Sequence, residues 1–295
     1  MLRRRWVLAG LVIVILAGLL AGTSVFGLAS RDKHTPRGTA GDSAAFAAEA
    51  RDRASAAGWV TSQISRTTVV SCDPPMCSAL RARGWPAARL LILRAPADSP
   101  LRSAVIIDTV TLRGELGAQL ESQYAPAVLA RFGRGPLRVE VRVVAPHGAA
   151  AYESALRADQ ADRKATGAVL LRSGRVQAPA GVRDQLVAGQ VDARLLITLA
   201  GMAAQHTVRI DSFGGLGPGA DSGMPFLTAD LSEAGRSAAA RASDLRSVLR
   251  YVHSQRGQYA GATAQLVRPS GSSQPVLRIV FPGPSPLGLL GPQAS

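Results

Sequence analysis

Thr67-Thr-Val-Val-Ser-Cys-Asp-Pro-Pro-Met-Cys-Ser-Ala-Leu80 is the stretch whose reading decides the fold. Thr67 to Ser71 is a short β-branched run, which is a strand signal. Asp73 follows it, and Pro74-Pro75 suits the first turn of a helix that carries Met76, Ala79 and Leu80 on one face. Gly84 stops that helix. The same alternation continues outward. Arg89 to Leu93 is a second apolar run, and Ser103 to Ile107 is a third that ends at Asp108. Short, continuously apolar strands separated by helices predict an α/β body with a mostly parallel or mixed sheet covered on both faces, a three-layer-like arrangement.

Leu112, Leu116 and Leu120 space a helix after Asp108, and Val128, Leu129 and Phe132 predict one more helical turn. Pro136 to Pro146 alternates Leu137, Val139, Val141 and Val143 with Arg138, Glu140 and Arg142, a strand with one wet face. The second half is richer in helices. A long one is expected over 148–171, with Arg157, Asp159, Asp162, Arg163 and Lys164 solvated. A pair follows over Pro179–Ala188 and Asp192–Gln205, with Asp192 as an N-cap. Thr207–Phe213 and Phe226–Leu231 read as strands, Ser237–Gln255 as an amphipathic helix, and Ala264–Pro269 with Pro275–Phe281 as a hairpin. No repeat of 20–50 residues is present.

The N-terminus carries a different signal. Arg3, Arg4 and Arg5 precede a run of 24 residues, Trp6 to Ala29, with no charged side chain. A helix of about 20 apolar residues spans a bilayer, and the basic start favours a cytoplasmic N-terminus. An uncleaved single-pass anchor is preferred over a cleaved signal peptide, because the run exceeds the core length of a signal and lacks a clean A-x-A site. The expected organisation is a basic stub at 1–5, a transmembrane anchor at 6–29 and a juxtamembrane linker at 31–42. Two α/β subdomains at 43–146 and 147–281 follow, then a disordered tail at 282–295. One continuous sheet is the alternative to two subdomains. The body is expected to be extracytoplasmic, in the cell membrane.

Net charge is +14, and without Arg3, Arg4 and Arg5 the remainder carries +11. Lys33 and Lys164 are the only lysines, and outside the anchor flank no run of five or more basic residues occurs. That scatter argues against nucleic acid and is compatible with an anionic envelope surface. Cys72 and Cys77 are the two cysteines. Outside the cytoplasm a pair this close favours a disulfide over free thiols. A metal site is disfavoured because there is no second pair and the four histidines are far apart.

No G-x-S-x-G element is present, and no catalytic residue, metal set or cofactor is expected. The nearest approach to a site is a set of aspartates. Asp73 and Asp108 each sit just beyond an expected parallel strand, where ligands of open α/β sheets bind, with Thr109 and Thr111 beside them. Helix capping is the competing reading of both. Asp211 and Asp221 are the polar handles of the glycine-rich loop Gly214–Gly223, which lacks the Gly-Lys-Ser/Thr of a phosphate loop.

The anchor, the Val-Val-Ser-Cys-Asp-Pro-Pro-Met-Cys segment and the Arg- and Ala-rich composition together resemble uncharacterised single-pass membrane-anchored α/β proteins of GC-rich, actinobacterial-type Gram-positive bacteria. The resemblance implies an address and no activity. The expected function is a non-enzymatic binding or interaction module of the cell envelope, its partner being the membrane together with a protein or an anionic envelope polymer. The alternative is an extracytoplasmic hydrolase or transferase using Asp73 and Asp108.

Overall fold

A computed structural model describes residues 39–94, 98–215, 217–232, 238–256, 262–269 and 274–291. The expected anchor, the stub before it and most of the expected linker lie outside these residues. Among the described residues no helix is long and apolar enough to cross a membrane.

Helix α1 spans Thr39–Gln63. It buries Ala56, Ala57, Trp59 and Val60. Strand β1 (Val70–Cys72) follows, and Asp73 then caps helix α2 (Pro74–Ala82) by accepting the Met76 N–H, with prolines in the first turn. Strand β1 pairs in parallel with β2 (Leu90–Ile92) on one side and β3 (Val105–Asp108) on the other, so that Val70 lies opposite both Leu90 and Val105. Helix α3 (Val110–Leu116) leaves from β3. Strands β4 (Ala127–Phe132) and β5 (Val139–Val143) complete the sheet in antiparallel fashion, in the order β2-β1-β3-β5-β4.

Alternation along β3 explains why both faces are covered. Val105 and Ile107 point into the main apolar cluster with Met76 and Leu80 of α2, whereas Ile106 joins Leu112 and Leu116 of α3 in a second one. Successive residues of a strand face opposite ways, so a helix is needed on each side.

After helix α4 (Ala149–Arg172) the chain builds a second sheet. Strand β6 (Val176–Gln177), helices α5 (Ala180–Val187) and α6 (Ala193–Gln205), strands β7 (Val208–Gly214) and β8 (Thr228–Ser232), helix α7 (Ala238–Ser254) and the hairpin β9 (Thr263–Val267) with β10 (Val276–Val280) follow in turn. The order is β6-β7-β8-β10-β9, with only β6 and β7 parallel. The main apolar cluster runs through residues of both sheets, from Val60 and Val70 to Leu277 and Phe281, and Gly41–Ser295 groups as one compact unit. The protein is thus α/β with two mixed five-stranded sheets.

Four expectations are corrected. The helical turn over Val128–Phe132 is strand β4, because Val, Leu and Phe suit a pleated surface and β5 offers a pairing edge. The wet face of β5 is buried: Glu140 and Arg142 are 1% and 3% exposed. Asp159 and Arg163 on α4 are likewise buried as an ion pair at 2.8 Å. Alternation marks polar side chains as solvated, but mutual charge compensation lets them go inside. Finally, the segment Pro282–Gly291, expected to be disordered, packs against the body. Gly283 bridges Ile64, Arg194 donates to the Pro282 carbonyl at 3.0 Å and lies over the Phe281 ring, and the Gly288 N–H reaches Asp159.

Candidate functional site

Cys72 closes β1 and Cys77 lies on the first full turn of α2, with their Cα atoms 5.5 Å apart in a disulfide. Both are fully buried. The bridge therefore pins the helix to the strand beneath the sheet's carboxyl edge, where Asp73 and Asp108 emerge.

At that edge the two aspartates are linked through Thr109. Asp73 is 2% exposed; one oxygen takes the Met76 N–H at 2.8 Å and the other takes the Thr109 hydroxyl. Thr109 in turn caps α3. Asp108 has no exposure, and its Oδ2 receives two N–H bonds from Arg113, at 3.0 and 2.8 Å. Among the described residues its Oδ1 has no hydrogen-bond partner. Burial pushes the Asp108 carboxyl above its ordinary range, against the pull of Arg113 and Arg142.

From Asp108 a chain of charges crosses the sheet. Arg142 on β5 lies 3.9 Å from Asp108, 2.6 Å from Glu140, and also contacts Glu121. Glu140 receives Arg131 at 2.7 Å and Arg138 at 2.8 Å. Burial alone raises the Glu140 carboxyl, but the hydrogen bonds from Arg138, Arg131 and Arg142 outweigh it and bring it down to about 2. Arg131 then meets Asp221 at 3.2 Å. Four acidic and four basic side chains thus neutralise one another, from the buried Asp108, Glu140 and Arg142 out to the exposed Glu121 and Arg131.

Asp221 arrives there because the glycine-rich loop is an edge cover. The Arg131 N–H donates to the Gly219 carbonyl and the Asp221 N–H donates to the Leu129 carbonyl, each at 2.8 Å, so the loop pairs with the outer side of β4. Gly219 sits at φ +90°, and a Cβ there would lie 2.6 Å from the Phe132 ring. Only glycine fits. Asp211 stands apart on β7, where it accepts from Ser232 at 2.8 Å and from Arg209 at 3.4 Å. Of the four aspartates selected from the sequence, three belong to one connected edge and the fourth does not. Among the described residues, no group of three metal-binding side chains comes together.

A cavity of about 190 Å³ opens beside this network, between β4, α4, the loop at 221–225 and the C-terminal segment. Val128, Leu156, Met224 and Leu287 supply its apolar wall, and Tyr152, Asp159 and Arg163 its polar side. Asp159 is held by Arg163 Nε and by the Gly288 N–H at 3.1 Å; Arg163 also donates to the Gly189 carbonyl. Burial, with the nearby Asp159 charge, raises the Tyr152 hydroxyl pKa, so the phenol stays neutral. The only trace of this site in the sequence is the Asp159/Arg163 pair spaced i, i+4, a pattern shared by solvated helix surfaces.

No family model, curated protein or solved structure matches this chain.

Proposed function

We propose that the protein is a single-pass, membrane-anchored envelope protein whose extracytoplasmic α/β body binds an anionic envelope polymer. Trp6–Ala29 is the anchor in this reading, with the N-terminus cytoplasmic. The buried Cys72–Cys77 bridge is consistent with an oxidising compartment. The observation that carries the binding role is the division of the arginines. Arg113, Arg131, Arg138, Arg142, Arg163 and Arg194 are engaged by buried carboxylates. Arg81, Arg89, Arg134, Arg157, Arg172 and Arg183 are exposed and make no ion pair among the described residues. Surplus positive charge on one side of a membrane raises the local concentration of polyanions.

The competing reading, a hydrolase or transferase using Asp73 and Asp108, draws on the unpartnered Oδ1 of Asp108. It is the weaker reading, because Asp73 has both oxygens occupied by structural donors and neither carboxylate faces solvent. The test is co-sedimentation of the full-length detergent-solubilised protein with insoluble cell wall, before and after its anionic polymers are removed. Retention that is lost on removal, and lost again in high salt, supports the proposal. Equal retention on stripped wall would sink it, and selective recovery of one protein in its place would identify a protein partner.

A further inference from the structure

We propose that the cavity between β4, α4 and the C-terminal segment is a binding site for a small, uncharged, mostly apolar molecule that carries one hydroxyl or carbonyl group. This inference is independent of the envelope address and of polymer binding.

Size comes first. An engineered cavity of about 150 Å³ lined by aliphatic side chains takes up benzene, and this one, at about 190 Å³, has room for one substituted ring or a chain of similar bulk. Its wall is mainly apolar, and Met224 is a side chain that adapts to irregular occupants.

Charge comes second. The ionic groups that line the cavity are already neutralised, Asp159 by Arg163 and Asp221 by Arg131. A charged ligand would lose its hydration without meeting a free countercharge, which is costly. A neutral one avoids that cost.

Orientation comes third. The half-buried Tyr152 hydroxyl has no hydrogen-bond partner among the described residues, whereas the other polar groups of the wall are engaged. The cavity reaches the Tyr152 side chain, and a neutral phenol offers both a donor and an acceptor. It therefore selects an alcohol or carbonyl over a plain hydrocarbon. The C-terminal segment forms the remaining wall through Pro284, Ser285 and Leu287. It is held by the Ser285 hydroxyl on Asp192, Arg194 on the Pro282 carbonyl and Gly288 on Asp159.

The experiment titrates the full-length protein with 4-fluorophenol, fluorobenzene and 4-fluorobenzoate, followed by ¹⁹F NMR. The cavity-filling variant Ala127→Phe sets the background from detergent. 4-Fluorophenol is expected to bind most tightly, fluorobenzene more weakly, and 4-fluorobenzoate no better than background. Tyr152→Phe is expected to weaken 4-fluorophenol about tenfold, the equivalent of one hydrogen bond, and to leave fluorobenzene unchanged. The melting temperature of each variant checks that it is folded; if Ala127→Phe is not, Leu156→Trp replaces it. Equal binding of all three probes, no signal above background, or a 4-fluorophenol affinity that Tyr152→Phe does not alter would each overturn the proposal.

Discussion

Glu140 has almost no solvent contact, yet three guanidinium groups hold its carboxyl at about 2 instead of the usual 4.5. The unfolded chain therefore binds a proton that the native state refuses, and stability falls as pH drops from about 4.5 toward 2. Over that window the loss is about 3 kcal/mol for this one group. Asp108 acts in the opposite direction: its raised carboxyl makes the native state the better proton acceptor, so its contribution declines as pH rises above 3.8. Comparing wild type with Glu140→Gln separates the two. Urea unfolding of the variant at pH 7 is expected to show a loss of about 3 kcal/mol or more, since Arg142 stays buried with less compensation. Its acid limb between pH 4.5 and 2.5 should be flatter than that of wild type; an unchanged limb would assign acid sensitivity to other groups. Little of this was legible beforehand. The Arg-Val-Glu-Val-Arg alternation identified the strand, but periodicity does not distinguish a solvated charge from one compensated by residues far along the chain.

At the scale of elements, two devices hold the candidate edge in place. The disulfide ties β1 to α2 across a very short loop, so its removal by Cys72→Ala with Cys77→Ala is expected to cost only about 2 kcal/mol from loop closure. The urea midpoint measures it. A loss several times larger would mean that packing of the two buried side chains dominates. The loop that covers β4 depends on Gly219. Gly219→Ala places a Cβ at positive φ against the Phe132 ring and is expected to cost about 1–3 kcal/mol. Amide hydrogen exchange gives the specific readout: the Arg131 and Asp221 N–H groups, which the loop and β4 protect in each other, should exchange faster while β1 and β3 do not. The spacing of Val128, Leu129 and Phe132 suits a helical turn as well as strand β4, because a short apolar run carries no reliable period. Its partner in β5 and its cover at Gly219 are supplied by distant parts of the chain.

At the scale of the whole molecule, the segment after Phe281 is both a wall of the cavity and a clasp on α1, α4 and α6. Truncation after Phe281 is expected to lower the melting temperature by several degrees, since it removes these bonds and uncovers Asp159 and Asp192. It should also abolish 4-fluorophenol binding. An unchanged melting temperature would show that the clasp contributes nothing to stability. Topology is tested with an epitope at Ser295. Protease added to intact cells should remove it, and a protected epitope would place the body in the cytoplasm and remove the basis for the envelope reading.

By itself the sequence determined the local order of this protein: the strand–helix–strand unit from Val70 to Ile92, the strand that ends at Asp108, the Asp73 and Asp192 caps, the C-terminal hairpin and the closeness of the two cysteines. Each rests on interactions within a few residues or on a period of the chain. Only the tertiary structure decided that there are two mixed sheets, that Glu140, Arg142, Asp159 and Arg163 are buried, and that the glycine-rich loop and the proline-rich tail are structural. Those outcomes depend on which groups meet across more than fifty residues of chain in several cases, such as Arg131 with Asp221 and Gly288 with Asp159. The reason is energetic: a charged or glycine-rich segment looks solvated until a distant partner supplies the compensation that makes burial favourable.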